Sequence, residues 1–348
     1  MSYEAGLEVD YVPLSGDEPA RWDGVLGVAR FAGAAPAPLT ARGVPVVNVG
    51  TPVLGSPDEI CEVWRTRQPV RSGQLAGVRY RHAGHVLFGC ISVHEDDAGS
   101  MPIPAGAGSA LHAATEQAYR QVFATLDELD YPHLLRVWNY LPRINADTHG
   151  TERYWQFNSA RRDALLACGR DLSGGNVPAA CALGSSSDSP LVIYFLASRE
   201  LPLAIENPRQ VSAYEYPPRY GPRPAFSRAS LLRETAGPVL FISGTASIVG
   251  HETLHAGDVA AQTRETLVNI EALLNEAGRV CGDASFGLED LAYKVYVRHG
   301  TDLPVIRTQL RSALGPQAQI MYLQADICRQ DLLLEIEATG RGSAHAES

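Results

Sequence analysis

The chain has 348 residues, 45% of them hydrophobic and 20% charged, with a formal net charge of −10. That length suits one large domain or two ordinary ones, at roughly 100–200 residues each. The acidic balance excludes a nucleic-acid surface built on bulk basicity and a polybasic membrane anchor. Lys294 is the only lysine, so arginine carries the rest of the 29 basic residues. Schiff-base chemistry has one conceivable nucleophile, and anions must be held by guanidinium groups, which grip carboxylates bidentately.

In chain order, residues 1–60 are rich in Gly, Pro and Val and are expected to form short strands and turns. Val78–Tyr80 and His85–Val93 make a hairpin around Ala83-Gly84, and 101–108 is a Pro/Gly loop. Ala110–Leu129 carries a helical stripe of Ala114, Ala118, Val122, Leu126 and Leu129, stopped at Asp130-Tyr131-Pro132. His133–Tyr140 is an apolar, aromatic strand. The same order returns later. Val239–Val249 is a strand with a Ser-Gly-Thr break. His251–Asp258 is a polar loop. Val259–Ala277 is a helix with Gly278 as its C-cap, and Leu288–Val297 leads into a strand. Asp302–Leu314 is a second amphipathic helix, followed by strands at 320–323 and 332–338. The helix–turn–aromatic strand order occurs twice, which suggests an internal duplication into two α+β halves. The expected boundaries are 1–155, 156–340 and a disordered tail at 341–348. Six scattered cysteines without CxxC spacing indicate reduced thiols. The first residues carry no signal-peptide pattern and no apolar run nears ~20 residues, so the expected location is cytoplasmic.

Several segments could carry chemistry. His251-Glu252-Thr253-Leu254-His255 fits HExxH, which binds zinc only when a helix puts both imidazoles on one face. Here it follows a strand and precedes Ala256-Gly257-Asp258, so a loop is expected, with no metal. Glu335 lies among Leu332, Leu333, Leu334 and Ile336. Desolvation would raise its pKa and make it a general acid; a solvated edge strand is the alternative. Tyr214–Arg228 (YEYPPRYGPRPAFSR) is a stiff aromatic, arginine-rich loop that could clamp a carboxylate or simply be solvated, and Arg161-Arg162 is similar. Gly244, inside a strand, marks a bulge or a close approach. Cys328 lies across a turn from Glu335, as a pocket or a core residue.

Two resemblances attach to these residues. GDVAAQTRETLVNIEALLNEAG, LEDLAYKVYV and LLLEIEA resemble the reactive-intermediate deaminase (RidA/YjgF) fold, a chorismate-mutase-like sheet with two helices on one face. It implies ligands at the edge between neighbouring units, with Glu335 pointing into that site. Those deaminases carry a carboxylate-binding arginine where this chain has Ile320. YPHLLRVWNYLPRIN, ERYWQFNSARRDAL, AIENP, YGPRPAFSRA, FISGTASIVGHETLHAGD and ADICRQDLLLEIE resemble the chorismatase family over nearly the whole chain.

That family resemblance implies an α+β chain of two RidA/YjgF-like units, the first degenerate, that releases pyruvate from chorismate without a cofactor. It implies Glu335 as the acid and Arg161, Arg223 and Arg228 as holders of the substrate dianion, with Tyr216 and Tyr220 beside them. In the family the HExxH-like stretch is not a metal site. Gly244 and Cys328 resemble the benzoate-forming groups, whereas the hydrolytic group has alanine at both positions. The implied products are 3-hydroxybenzoate and pyruvate, with 4-hydroxybenzoate as a co-product to look for. A trans-dihydrodiol-forming hydrolase and an imine/enamine deaminase are the alternatives. No nucleic acid or membrane partner is expected, and monomer and homotrimer both remain open.

Overall fold

In a computed structural model, described here for residues 6–13, 22–33, 43–55, 59–98, 109–170 and 177–344, the two repeats share one topology. The first is a meander of β5 (Arg71–Leu75), β6 (Val78–Ala83) and β7 (Val86–Val93), then α1 (Ala110–Leu129), β8 (His133–Pro142), α2 (Arg153–Ala167), β9 (Ala179–Ser185) and β10 (Leu191–Ser198). The second runs β11 (Leu203–Ile205), β12 (Ala229–Leu232), β13 (Val239–Thr245), α3 (Val259–Cys281), β14 (Leu291–Val297), α4 (Leu303–Leu314), β15 (Gln319–Gln324) and β16 (Leu334–Arg341). Their six-stranded sheets have the orders β9-β8-β10-β7-β6-β5 and β11-β12-β13-β16-β14-β15, so the last strand of each inserts at the centre. The class is α+β, with two matching units, as the sequence implies.

The unit boundary differs from the expected 155/156. Helix α2 and strands β9 and β10 complete the first sheet, because β9 pairs parallel to β8 and β10 lies antiparallel between β7 and β8. The chain passes to the second sheet between Ser198 and Leu203. The 101–108 loop and residues 345–348 lie outside the described residues. Ser343–Ala344, expected to be disordered, pair with Ala284–Ser285.

Four strands between Glu8 and Arg65 form a third sheet. Strands β1 (Glu8–Pro13), β2 (Val25–Ala32), β3 (Val46–Gly50) and β4 (Ile60–Arg65) take the order β1-β4-β2-β3. Strand β4 is antiparallel to β1 and β2, and β2 is parallel to β3. This repeats four adjacent strands at one end of each six-stranded sheet, β7-β10-β8-β9 and β13-β16-β14-β15. The register agrees as well: Ala29 faces Glu62, Trp138 faces Tyr194, and Lys294 faces Glu337. The three sheets enclose one core containing Trp64, Phe88, Trp138, Tyr194, Phe241 and Tyr296. The outer faces of the two larger sheets are closed by α1–α2 and by α3–α4 over separate cores.

Local chemistry sets the helix ends. Ser109 accepts a hydrogen bond from the His112 amide at 3.3 Å and caps α1, and Asp130 ends it at φ 59°. Asp258 caps α3 through the Ala261 amide at 2.9 Å. That helix runs past Gly278 to Cys281, whose buried side chain holds the last turn, and Gly282 takes the left-handed cap at φ 78°. No helix among the described residues is long and apolar enough to cross a membrane.

Candidate active site

Insertion of β16 between β13 and β14 decides the environment of Glu335. The strand is central, not an edge. Alternation sends Leu334, Ile336 and Ala338 to the helix-side core and Glu335 and Glu337 to the opposite face. Glu335 is 4% exposed, and burial, reinforced by the charge of Glu337, raises its pKa from 4.5 to about 8. Arg136, Arg228 and Arg298 oppose the rise without cancelling it. The direction is that of a carboxyl that holds its proton toward neutral pH.

Glu335 lines a cavity of about 310 Å3 between the two units. The first unit contributes Tyr154, Trp155, Asn158 and Arg161 from α2 and Ala180, Cys181 and Ala182 from β9. The second contributes Glu335, Gly244, the 210–228 loop and the 328–332 turn. A site between two units, largely apolar with a few convergent polar groups, is the usual form of a small-molecule site.

Arg161, Arg228, Arg329 and Asn158 line this cavity. Arg161 is 3% exposed, stacks 5.3 Å from the Tyr119 ring, and its Nε has no hydrogen-bond partner among the described residues. The same holds for Arg228 Nε, Arg329 Nη2 and Asn158 Nδ2. Arg228 is fixed by donating to the Val211 carbonyl at 2.7 Å and to the Tyr216 hydroxyl at 2.8 Å. Arg329 lies 4.3 Å over the Tyr220 ring and donates to the His251 carbonyl at 2.9 Å. Buried donors left unpaired are costly. Three arginines gathered at one cavity suit a ligand rich in acceptor oxygens and bearing negative charge.

Seven of the sequence candidates meet at this cavity: Glu335, Cys328, Arg161, Tyr216, Tyr220, Arg228 and Gly244. Arg223 does not. Its side chain is exposed, outside the cavity lining, and its Nε donates to the Tyr216 carbonyl at 3.2 Å, bracing the loop from outside. Arg329 takes the place expected of it. Its signal was present, since it follows Cys328 directly in ADICRQD. Asn158 projects from α2 one turn before Arg161, and nothing in its residue type marked it.

Gly244 has a steric purpose. A Cβ there would stand 2.6 Å from Glu335 Cδ and 3.2 Å from Cys181 Cβ, so the Glu335 carboxyl occupies the space a side chain would need. Burial, and then the charge of Glu335, pushes the Cys328 thiol up to about 12, so it stays a neutral thiol at physiological pH. That counts against a standing thiolate as a base.

The HExxH segment is no helix. Glu252–Thr253 pair with Ile248–Val249 in a short hairpin, and His255 sits at φ 59°. His251 approaches Arg219 and Glu252, whereas His255 approaches Glu265. The two imidazoles do not converge. Ile320 lies in β15, packed against the second unit's core and outside the Glu335 cavity.

Strand register shows why there is one such acid. In the three sheets the residues opposite Phe31, Tyr140 and Tyr296 are Ile60, Val192 and Glu335. Only the second unit carries a carboxyl at this repeated position.

The family model for FkbO/Hyg5-like chorismatases, N-terminal part, matches residues 62–197. A 3-hydroxybenzoate synthase of Streptomyces hygroscopicus is 39% identical over 323 residues, 90% of each chain. A chorismatase of Streptomyces rapamycinicus is 36% identical over 332 residues, 93% of each chain. A chorismatase crystal structure at 1.08 Å superposes with a TM-score of 0.86 at 31% identity, covering 97% of this chain and 100% of that one. With relatives this similar along almost their whole length, and with the interface cavity those motifs build, the chain belongs to the chorismatase family.

Proposed function

We propose that this enzyme converts chorismate to 3-hydroxybenzoate and pyruvate. One observation carries the reading: a buried carboxyl, its pKa raised by burial, at a cavity lined by the buried Arg161 and Arg228. Chorismate is a dicarboxylate with an acid-labile enol ether. Arg161, Arg228 and Arg329 hold its carboxylates, and Tyr216 and Tyr220, positioned by those arginines, flank the ring. Glu335 protonates the methylene carbon of the enolpyruvyl group, which makes an oxocarbenium ion. The arginine-held carboxylate next to that cation stabilises it.

The products together contain every atom of chorismate, so no water is consumed. The ring's own hydroxyl acts on the cation in place of water, pyruvate leaves, and the ring loses a proton as it becomes aromatic. That proton restores Glu335 to its acid form. Cys328, a neutral thiol beside the carboxyl, lines the path of that return.

The relatives' names support this product, 3-hydroxybenzoate synthase foremost. Incubation with chorismate and separation of the aromatic products tests it. Expected are 3-hydroxybenzoate and pyruvate in equal amounts, with any 4-hydroxybenzoate as a second aromatic peak. A dihydrodiol as sole product overturns the benzoate assignment. Ammonia release from 2-aminoacrylate without turnover of chorismate would favour a deaminase instead.

A further inference from the structure

The single lysine of the chain is buried where the three sheets meet. Lys294 is 0% exposed, and its Nζ pairs with Glu62, with Glu337 at 2.7 Å and with the Tyr194 hydroxyl at 3.0 Å. Glu62, Tyr194 and Glu337 hold the same register position in the three sheets. Lys294 thus ties together one residue from each. Glu337 accepts in addition from Arg136 and from Trp138 Nε1 at 2.7 Å.

We propose that Glu337, held ionised by Lys294 and Arg136, is a positioning residue for the reaction: its fixed negative charge, on the same strand face as Glu335, makes that neighbour keep its proton until substrate takes it. The proposal rests on Glu335 being the acid, as argued above. Geometry supports it first. Residues two apart on one strand are about 7 Å apart on a common face, and both carboxyls are buried, at 4% and 5% exposure. A like charge at that distance in a partly desolvated setting disfavours ionisation by about one to two pH units.

The neighbours assign the roles. Burial pushes the Glu337 carboxyl up, but Lys294 and Arg136 outweigh it and hold its pKa below the ordinary value. Burial pulls the Lys294 ammonium down, but Glu337 and Glu62 outweigh it and raise its pKa. Arg136, Arg228 and Arg298 act on Glu335 with positive charge and oppose burial, the largest influence on it. The Cys181 and Cys328 thiols and the Tyr154 hydroxyl around it are kept neutral by burial. Glu337 is therefore the charge that joins burial in offsetting the arginines.

The test is the pH dependence of kcat/KM for chorismate, whose basic limb reports the essential acid of the free enzyme. Glu337→Gln should move that limb down by about one pH unit or more, with pyruvate still formed at low pH. The double variant Glu337→Gln/Lys294→Met removes the cation as well and should bring the limb part of the way back. A purely structural role gives the reverse pattern: rate loss with an unmoved limb, and further damage in the double variant. A Glu337→Gln limb at the wild-type position overturns the proposal. If that variant does not fold, the double variant decides alone, because its limb at the wild-type position overturns the proposal equally. Failure of the underlying functional reading is a different result, a wild-type enzyme that releases no pyruvate from chorismate.

Discussion

Gly244 and Glu335 share one space: a Cβ on residue 244 would stand 2.6 Å from Glu335 Cδ. Two neighbouring strands, β13 and β16, thereby fix where the acid points. The obstacle met by a larger residue is the end of a flexible side chain, so Gly244→Ala should fold, at a cost of about 0.5–1.5 kcal/mol for the displaced rotamer. The consequence falls on the chemistry. With the carboxyl pushed from its seat, 3-hydroxybenzoate formation should fall about tenfold or more, and dihydrodiol should rise as water reaches the cation. Product separation on the purified variant checks this. An unchanged rate and product ratio would separate Gly244 from the acid.

Glu335→Gln keeps shape and removes the transferable proton. Chorismate turnover should fall by about 10²–10⁴-fold, the usual worth of a positioned acid. In the wild type the acid form is the active one, so kcat/KM should hold at low pH and fall as pH rises through about 8. The same shift governs stability. A carboxyl raised from 4.5 to about 8 favours folding fully below pH 4.5 and progressively less up to about 8. Melting temperatures followed across that window should show Glu335→Gln gaining on the wild type as pH rises.

Much of the local structure of both units was legible in the sequence, because its signals are local. The stripe of α1, the apolar face of α3 and the alternation of LLLEIEA depend on neighbours a few residues away, and the structure places those elements within a few residues of expectation. What was hidden depends on pairing at long range. Whether LLLEIEA was a solvated edge or a central strand turned on its insertion between β13 and β14. The first unit's boundary was missed for the same reason, since Leu191–Ser198 returns to pair with strands more than fifty residues earlier. Lys294 stood out as a cation in an apolar strand, but its partners Glu62 and Glu337 come from separate sheets. Arg223 and Arg329 differ only in which way a loop turns them, and composition carries no signal of that.

The hairpin at His251–His255 makes a further prediction. The two imidazoles have different partners, Arg219 with Glu252 on one side and Glu265 on the other. His255→Ala should leave chorismate turnover within about twofold of wild type, since an exposed histidine paired to a surface-helix carboxylate contributes little. Incubation with a strong chelator should leave the rate unchanged. A loss of activity restored by added zinc would reinstate a metal reading of the segment.

The arginines separate by burial rather than by count. Arg161 and Arg228 are 3% and 5% exposed and line the cavity, whereas Arg223 is exposed and bonded to a backbone carbonyl outside it. A hydrogen bond to a charged group contributes about 1.5–3 kcal/mol, so Arg161→Ala should lower kcat/KM for chorismate by about 10–150-fold. Arg228→Ala should do at least as much damage, because the Tyr216 hydroxyl and the Val211 carbonyl lose their donor along with the ligand. Arg329→Ala, at the position the sequence did not single out, should resemble Arg161→Ala. Arg223→Ala should change kcat/KM by less than about threefold. Steady-state kinetics on the four variants, with melting temperatures alongside, read the ranking directly. An Arg223 effect as large as that of Arg161 would place the substrate against the outer face of the 216–223 loop instead of in the cavity between the two units.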